Sequence, residues 1–228
     1  SVLVTLDKIA DVSVALSAKE MALNVEDFSE QVLKPAAIAI AEKINADGLS
    51  LYKDIPYTCG TAGTTPSTLE AFAEAGKALN DAKAPFSMRY AVWDSAALAK
   101  FQTIPAVVNA EKCGSTEALR DGSIGKILGM ENYMSQQVCK HTKGTLSATS
   151  GLSLLEAADA GDTSITIEAS AGSLSGNVKK GDVFVLGGQN YVATADAEID
   201  SDSIIVNIYP AIKENVAAES EVTMIGDH

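Results

Sequence analysis

Four short stretches of the chain hold side chains whose types and spacing could do chemistry. Cys139, Lys140 and His141 put a thiol, an ammonium group and an imidazole within three consecutive residues. A neighbouring cation lowers a thiol pKa and an imidazole can accept its proton, which together describe the nucleophile of a thiol hydrolase. On a regular strand residues 139 and 141 share a face, but the sequence offers no third group to orient the imidazole. Asp196, Glu198, Asp200 and Asp202 alternate as the oxygen ligands of a calcium loop do. A calcium loop begun at Asp196 needs Gly at its sixth position and Glu at its twelfth, and Ser201 and Asn207 stand there. A solvated acidic turn between two strands is the simpler reading. Gly122-Ser123-Ile124-Gly125-Lys126 looks like a phosphate loop, yet only two residues separate its glycines. Ile127 also stands where Ser or Thr would meet magnesium. A bend in a strand pair explains it more simply. Lys179-Lys180-Gly181-Asp182 reads as a turn leading into a strand. With two histidines and three scattered cysteines (Cys59, Cys113, Cys139), neither CxxC nor HExxH spacing occurs. That odd cysteine set is no disulfide framework, and reduced thiols in a cytosol-made protein are expected. No catalytic, cofactor-binding or metal-binding residue is predicted.

The elements that must carry these stretches are bounded by composition. A chain of 228 residues allows one large domain or two modest ones. Seventeen basic against 30 acidic residues, a net charge of −13, argue against gripping nucleic acid or docking on anionic lipid. Apolar residues at 46% suffice for a packed core, and no apolar run of eighteen residues occurs. The start, Ser1-Val2-Leu3-Val4-Thr5, has no basic region, no cleavage site and no initiator Met, so a trimmed or excised piece is expected.

The charge is unevenly spread. Residues 1–143 hold 17 acidic and 14 basic side chains, and residues 144–228 hold 13 and 3. Texture shifts at the same point, from mixed helical and strand patterns to Ser, Thr, Gly, Val and Ile. Two domains are expected, 1–143 and 144–228. In the first, residues 2–16 alternate loosely as extended chain. Leu33, Ala37, Ile40 and Ile44 then mark a long helix from about Val25 to Leu51, with Asn24 as its cap and a bend at Pro35. Ser67 and Glu70 form the spacing of a capping box for a helix through Leu79. Residues 88–93 read as a buried strand, Asp94 caps another helix, and residues 124–135 form two extended segments around Gly125 and Gly129. The second domain shows candidate strands at 146–149, 164–169, 182–186, 190–195, 203–209 and 220–225. Gly187-Gly188 is a two-residue turn between two of them, and the set points to a small barrel or sandwich.

Several of these segments resemble a known family. Residues 25–37 (VEDFSEQVLKPAA), opening the long helix, and residues 119–136 (LRDGSIGKILGMENYMSQ) resemble the major capsid proteins of tailed phages, with the Hong Kong 97 fold. Residues 178–188 (VKKGDVFVLGG) and 206–212 (VNIYPAI) resemble the extra β-barrel inserted in coat proteins of short-tailed Salmonella-type phages. The resemblance implies an α+β capsid core with a spine helix, peripheral and axial domains over 1–143, and an inserted all-β barrel over 144–228. It implies a structural protein of a phage or prophage, not an enzyme. The subunit would self-assemble through pentamers and hexamers into an icosahedral shell around DNA, with a scaffolding protein and a portal as partners. Localisation in the virion, synthesis in the host cytoplasm, and no membrane or sequence-specific nucleic-acid binding go with it. Family members carry an N-terminal arm and a further axial segment that are not found here, so an internal fragment is expected. Three other readings compete: an encapsulin-like compartment shell, a small hydrolase or thiol enzyme using Cys139 and His141, and an extracellular β-domain binder holding calcium at Asp196–Asp202.

Overall fold

The computed structural model describes residues 8–15, 29–109, 111, 114 and 116–228. The expected cap Asn24, the helix start at 25–28, Cys113 and the extended residues 2–7 lie outside them. The chain divides into two compact units after Ser50.

In the first unit, residues 8–15 carry no regular element, where extended chain was expected. A π-helical turn, Ser29–Leu33, runs directly into helix α1, Lys34–Leu49. Pro35 falls in the first turn of α1, so it has no N–H to offer the carbonyls of the π-helical turn before it. The expected bend is therefore a change of helical type at the proline. Alanine-rich sequence supports the helix locally, and at 16 residues it is about 24 Å long. None of its residues is buried; Ile38 and Ile44 are more than half exposed. Lys43 and Lys8 both pair with Asp47 and hold its carboxyl below the usual range, the Lys43 hydrogen bond most of all.

The second unit is mixed α+β. After a 3-10 turn at Ser50–Asp54 come helix α2 (Leu69–Asp81), strand β1 (Arg89–Trp93) and helix α3 (Ser95–Phe101). The short helices α4 (Pro105–Val108) and α5 (Glu117–Arg120) follow, then strands β2 (Lys126–Ile127) and β3 (Met130–Met134). Thr68 rather than Ser67 precedes α2 and makes no side-chain cap, so the expected capping box does not form. Asp94 does cap α3, accepting from the Ala97 amide at 2.8 Å. Strand β3 lies between β1, parallel to it, and β2, antiparallel. One sheet face packs on a cluster of Phe72, Ala97, Phe101, Val107, Ile124 and Met130. Trp93, Phe72 and Phe101 meet with ring centroids 4.5–5.1 Å apart. The other face leaves Tyr90, Val92 and Tyr133 exposed. Strand 88–93 is thus half buried rather than fully buried, because nothing in this unit covers its outer side.

From residue 147 onward the structure is all β. A closed barrel has the order β10-β12-β6-β5-β13-β9. Its strands are β5 (Leu152–Leu154), β6 (Ser164–Ala169), β9 (Val183–Leu186), β10 (Gln189–Ala193), β12 (Ser203–Tyr209) and β13 (Glu221–Met224). Alternation is regular: Ile204, Val206 and Ile208 of β12 point into a core with Ile165 and Ile167 of β6, while Ile205, Asn207 and Tyr209 face out. Gly187 and Gly188, at φ 57° and 75°, make the two-residue turn that pairs Leu186 with Gln189. One expected strand is displaced from the barrel. Ser147–Ala148 (β4) pairs with Leu174–Ser175 (β7) in a separate two-stranded sheet. Three-residue β5, too short to show alternation, takes the barrel position between β6 and β13. Asn177–Val178 (β8) and Ala197–Glu198 (β11) form another small pair. Among the described residues no helix is long and apolar enough to cross a membrane.

Candidate functional site

The Cys139-Lys140-His141 stretch lies on the irregular segment that joins β3 to β4. Between Met130 and Leu146 only His141 and Gly144 are buried. His141 turns inward and its Nε2 lies 2.8 Å from Oδ1 of Asp182, a carboxylate with no exposed surface. The orienting group absent from the local sequence is therefore supplied 41 residues later. Asp182 also accepts from the Gly144 amide through both oxygens (3.1 and 3.0 Å) and from the Lys179 amide (2.8 Å). Two N–H groups and an imidazole satisfy a carboxylate that burial alone would make costly.

The surrounding atoms close this pair in. Gly181 has φ 97°, and a Cβ there would lie 3.1 Å from Lys53 Cβ and 3.3 Å from His141 Cε1. At Gly144 a Cβ would lie 2.2 Å from the Asn177 carbonyl oxygen. Close approach requires glycine at 144, and the positive φ favours it at 181. The main chain of His141 exchanges hydrogen bonds with that of His228, whose carbonyl also accepts from Tyr52 Oη at 3.0 Å. Partial burial first, and the Cys139 thiolate second, push the Tyr52 phenol up. The His141 and His228 rings are 5.1 Å apart. A nucleophile–imidazole–carboxylate relay needs the ring nitrogen opposite the carboxylate to face a reacting group and a cleft for substrate. Here the imidazole is buried within the crossing, and neither His141 nor Asp182 lines the cavity beside residues 123–128.

That cavity, about 380 Å³, is lined by the phosphate-loop look-alike: Ser123, Ile124, Gly125 and Lys126, with Val107 and Glu117 opposite. Gly122 and Gly125 take φ of 72° and 59°. Their carbonyls accept from Gln102 Nε2 (2.7 Å) and Asn132 Nδ2 (2.9 Å). The glycines thus bend the chain into the β2–β3 hairpin, as a Gly-permitted turn does.

The acidic run is a hairpin tip. Asp200 and Ser203 exchange backbone bonds around Ser201 and Asp202, both at positive φ. Asp196 is already occupied, accepting from the Lys180 amide at 2.7 Å. Among the described residues no three His, Cys, Asp or Glu side chains are placed to hold a metal ion. Lys179 and Lys180 are the turn expected, with Lys180 Nζ 3.3 Å from Asp54. Cys59 is exposed and Cys139 half-buried, both as free thiols.

The residue that sequence reasoning missed is Asp182. A single acid opening an otherwise apolar run (Asp182-Val183-Phe184-Val185-Leu186) was the available signal, since such an acid is either at a strand mouth or buried with partners. Of the thirteen carboxylates over 144–228, eleven are exposed, Glu168 is half-buried and Asp182 alone is buried.

No family model matches the chain, and no curated protein matches it. Among solved structures it is similar to a chain of Mycobacterium phage Che8, with TM-score 0.40 and 18% identity. The match covers 89% of this chain and 66% of that one, so the present chain spans slightly less than two thirds of its neighbour.

Proposed function

We propose that this chain is the structural major capsid protein of a tailed bacteriophage or prophage, or a large part of one, with a Hong Kong 97-type core and an inserted barrel. The observation that carries the reading is the order of its parts. A helix opens within residues 25–37, the 119–136 segment runs from the end of α5 through the β2–β3 hairpin, and a closed six-stranded barrel follows. That is the order in which the capsid resemblance arranges these segments. Function then resides in surfaces rather than in a reacting centre, in keeping with a His141–Asp182 pair enclosed on all sides. Weak contacts between subunits are multiplied through the pentamers and hexamers of a closed shell. Its partners are further copies of itself, a scaffolding protein and a portal, and its place is the virion after synthesis in the host cytoplasm. An acidic wall holds DNA by enclosure without gripping phosphates or reading sequence.

The test is to co-express the full-length gene with its neighbouring scaffold gene and image the lysate by electron microscopy. Closed shells of uniform diameter are expected. Soluble monomers alone, across salt and scaffold ratios, sink the reading. Shells whose gene lies beside an enzyme rather than terminase and portal genes favour a compartment protein instead.

A further inference from the structure

We infer that the buried His141–Asp182 pair is a latch that locks the barrel to the chain segment crossing into it, separately from the packing that folds the barrel. The main chain around Asp182 belongs to the barrel: Gly181 donates to the Ala193 carbonyl, and Ala193 donates to that of Asp182. Its side chain does two jobs at once. Oδ2 closes the barrel's own turn by accepting from Lys179, while Oδ1 takes His141, and Gly144 donates across both oxygens.

Apolar packing does not duplicate this hold. The barrel core draws on residues 146–222 and the aromatic cluster on residues 72–130. The crossing between them buries only His141 and Gly144. Besides the His141–His228 backbone pairing and the half-buried Tyr52 bond to the His228 carbonyl, the ties to the crossing and the adjoining loops are solvent-facing: Lys180 to Asp54, Asn190 to Thr58 (3.0 Å), and the Lys143 amide to Asp227 (3.0 Å). Exposed contacts of this kind contribute little, whereas removing one partner of a buried pair strands the other without its charge-assisted bond. Gly144 makes the fit tight, because a Cβ there would lie 2.2 Å from the Asn177 carbonyl oxygen and 2.8 Å from Asp182 Oδ2. The latch therefore sets where the barrel is held, and the barrel core sets whether it is folded. The inference stands without the shell reading; within it, the latch fixes the direction in which the barrel projects.

Hydrogen exchange on the full chain, read residue by residue, tests this. His141→Phe keeps a ring and removes the donor, so exchange at the Gly144 and His228 amides should rise about 100-fold, the scale of a broken buried pair. Amides of Ile167 and Val206 in the barrel core should stay at wild-type protection. His141→Gln, which can still present an N–H to Asp182, should restore Gly144 to within about tenfold of wild type. Unchanged exchange at Gly144 in His141→Phe overturns the latch. So does equal loss of protection in the barrel core, or a variant that does not fold, since either makes the pair part of the barrel's own stability.

Discussion

The barrel and the three-stranded sheet are both made of short strands, but they end differently. The barrel closes, so every strand has two neighbours and seventeen buried side chains form one cluster within it. The sheet β1-β3-β2 stops at β1 and β2, buries one face on six side chains, and leaves Tyr90, Val92 and Tyr133 in the open. Closure lets a segment of some eighty residues complete its own core, whereas an open sheet of three strands relies on one face and keeps an edge that can still pair.

The comparison is broken most strongly by core truncation. Phe184→Ala in the barrel and Phe101→Ala in the aromatic cluster each remove a fully buried ring and should cost about 3–5 kcal/mol. The single tryptophan, Trp93, packs on Phe101, so its emission reports the open-sheet region alone. In urea titrations Phe101→Ala should move the Trp93 transition. Phe184→Ala should move the far-ultraviolet dichroism of the barrel and leave Trp93 emission near its wild-type midpoint. Coincident shifts in both variants would show that the two regions fold as one.

A smaller contrast sets two barrel-side glycines against each other. Gly144→Ala meets a backbone oxygen and should destabilise by about 2–3 kcal/mol, as overpacking does. Gly188→Ala faces open space and bears only the strain of its positive φ, about 1 kcal/mol. Thermal melts of the two variants should separate in that order. In the open-sheet region, Asp94→Ala removes the cap on α3 and should lower stability by about 1 kcal/mol, read from Trp93 emission.

The smallest effects are titrations. Tyr133 donates to Glu131 at 3.1 Å, and that bond holds its phenol above the usual value. Glu131→Gln should bring the phenol down, visible as an earlier phenolate rise in difference absorbance. The Cys59 thiol is pushed up by partial burial and then by the Glu74 carboxylate. It should alkylate more slowly than an unperturbed cysteine thiol at pH 8 and accelerate as pH rises; Glu74→Gln should shorten the gap. Equal rates at all pH values would remove Glu74 from that account.

The same contrast explains what could be read in advance. Strands β6, β9, β10 and β12 alternate or are bounded by glycine turns, so their positions were legible within a residue or two. Strand β5 was not, because three residues carry no period, and β4 was mistaken for a barrel strand because pairing partner is a long-range property. The outer face of β1 was misjudged since Tyr90 and Val92 are apolar enough to look buried. Cys139 and His141 stood out for their proximity, but the meaning of His141 depended on Asp182, which only the folded chain brings beside it.

One consequence of the His141–His228 backbone pairing reaches beyond this protein. The chain passes into the barrel at 141–144 and out at 225–228, and these two passages run side by side, joined by reciprocal hydrogen bonds. A folded unit whose two ends are one strand spacing apart, about 5 Å, can be grafted into the tip of a hairpin in another scaffold without prying that scaffold open. Residues 141–228 meet that geometric condition, with Gly144 at the near seam.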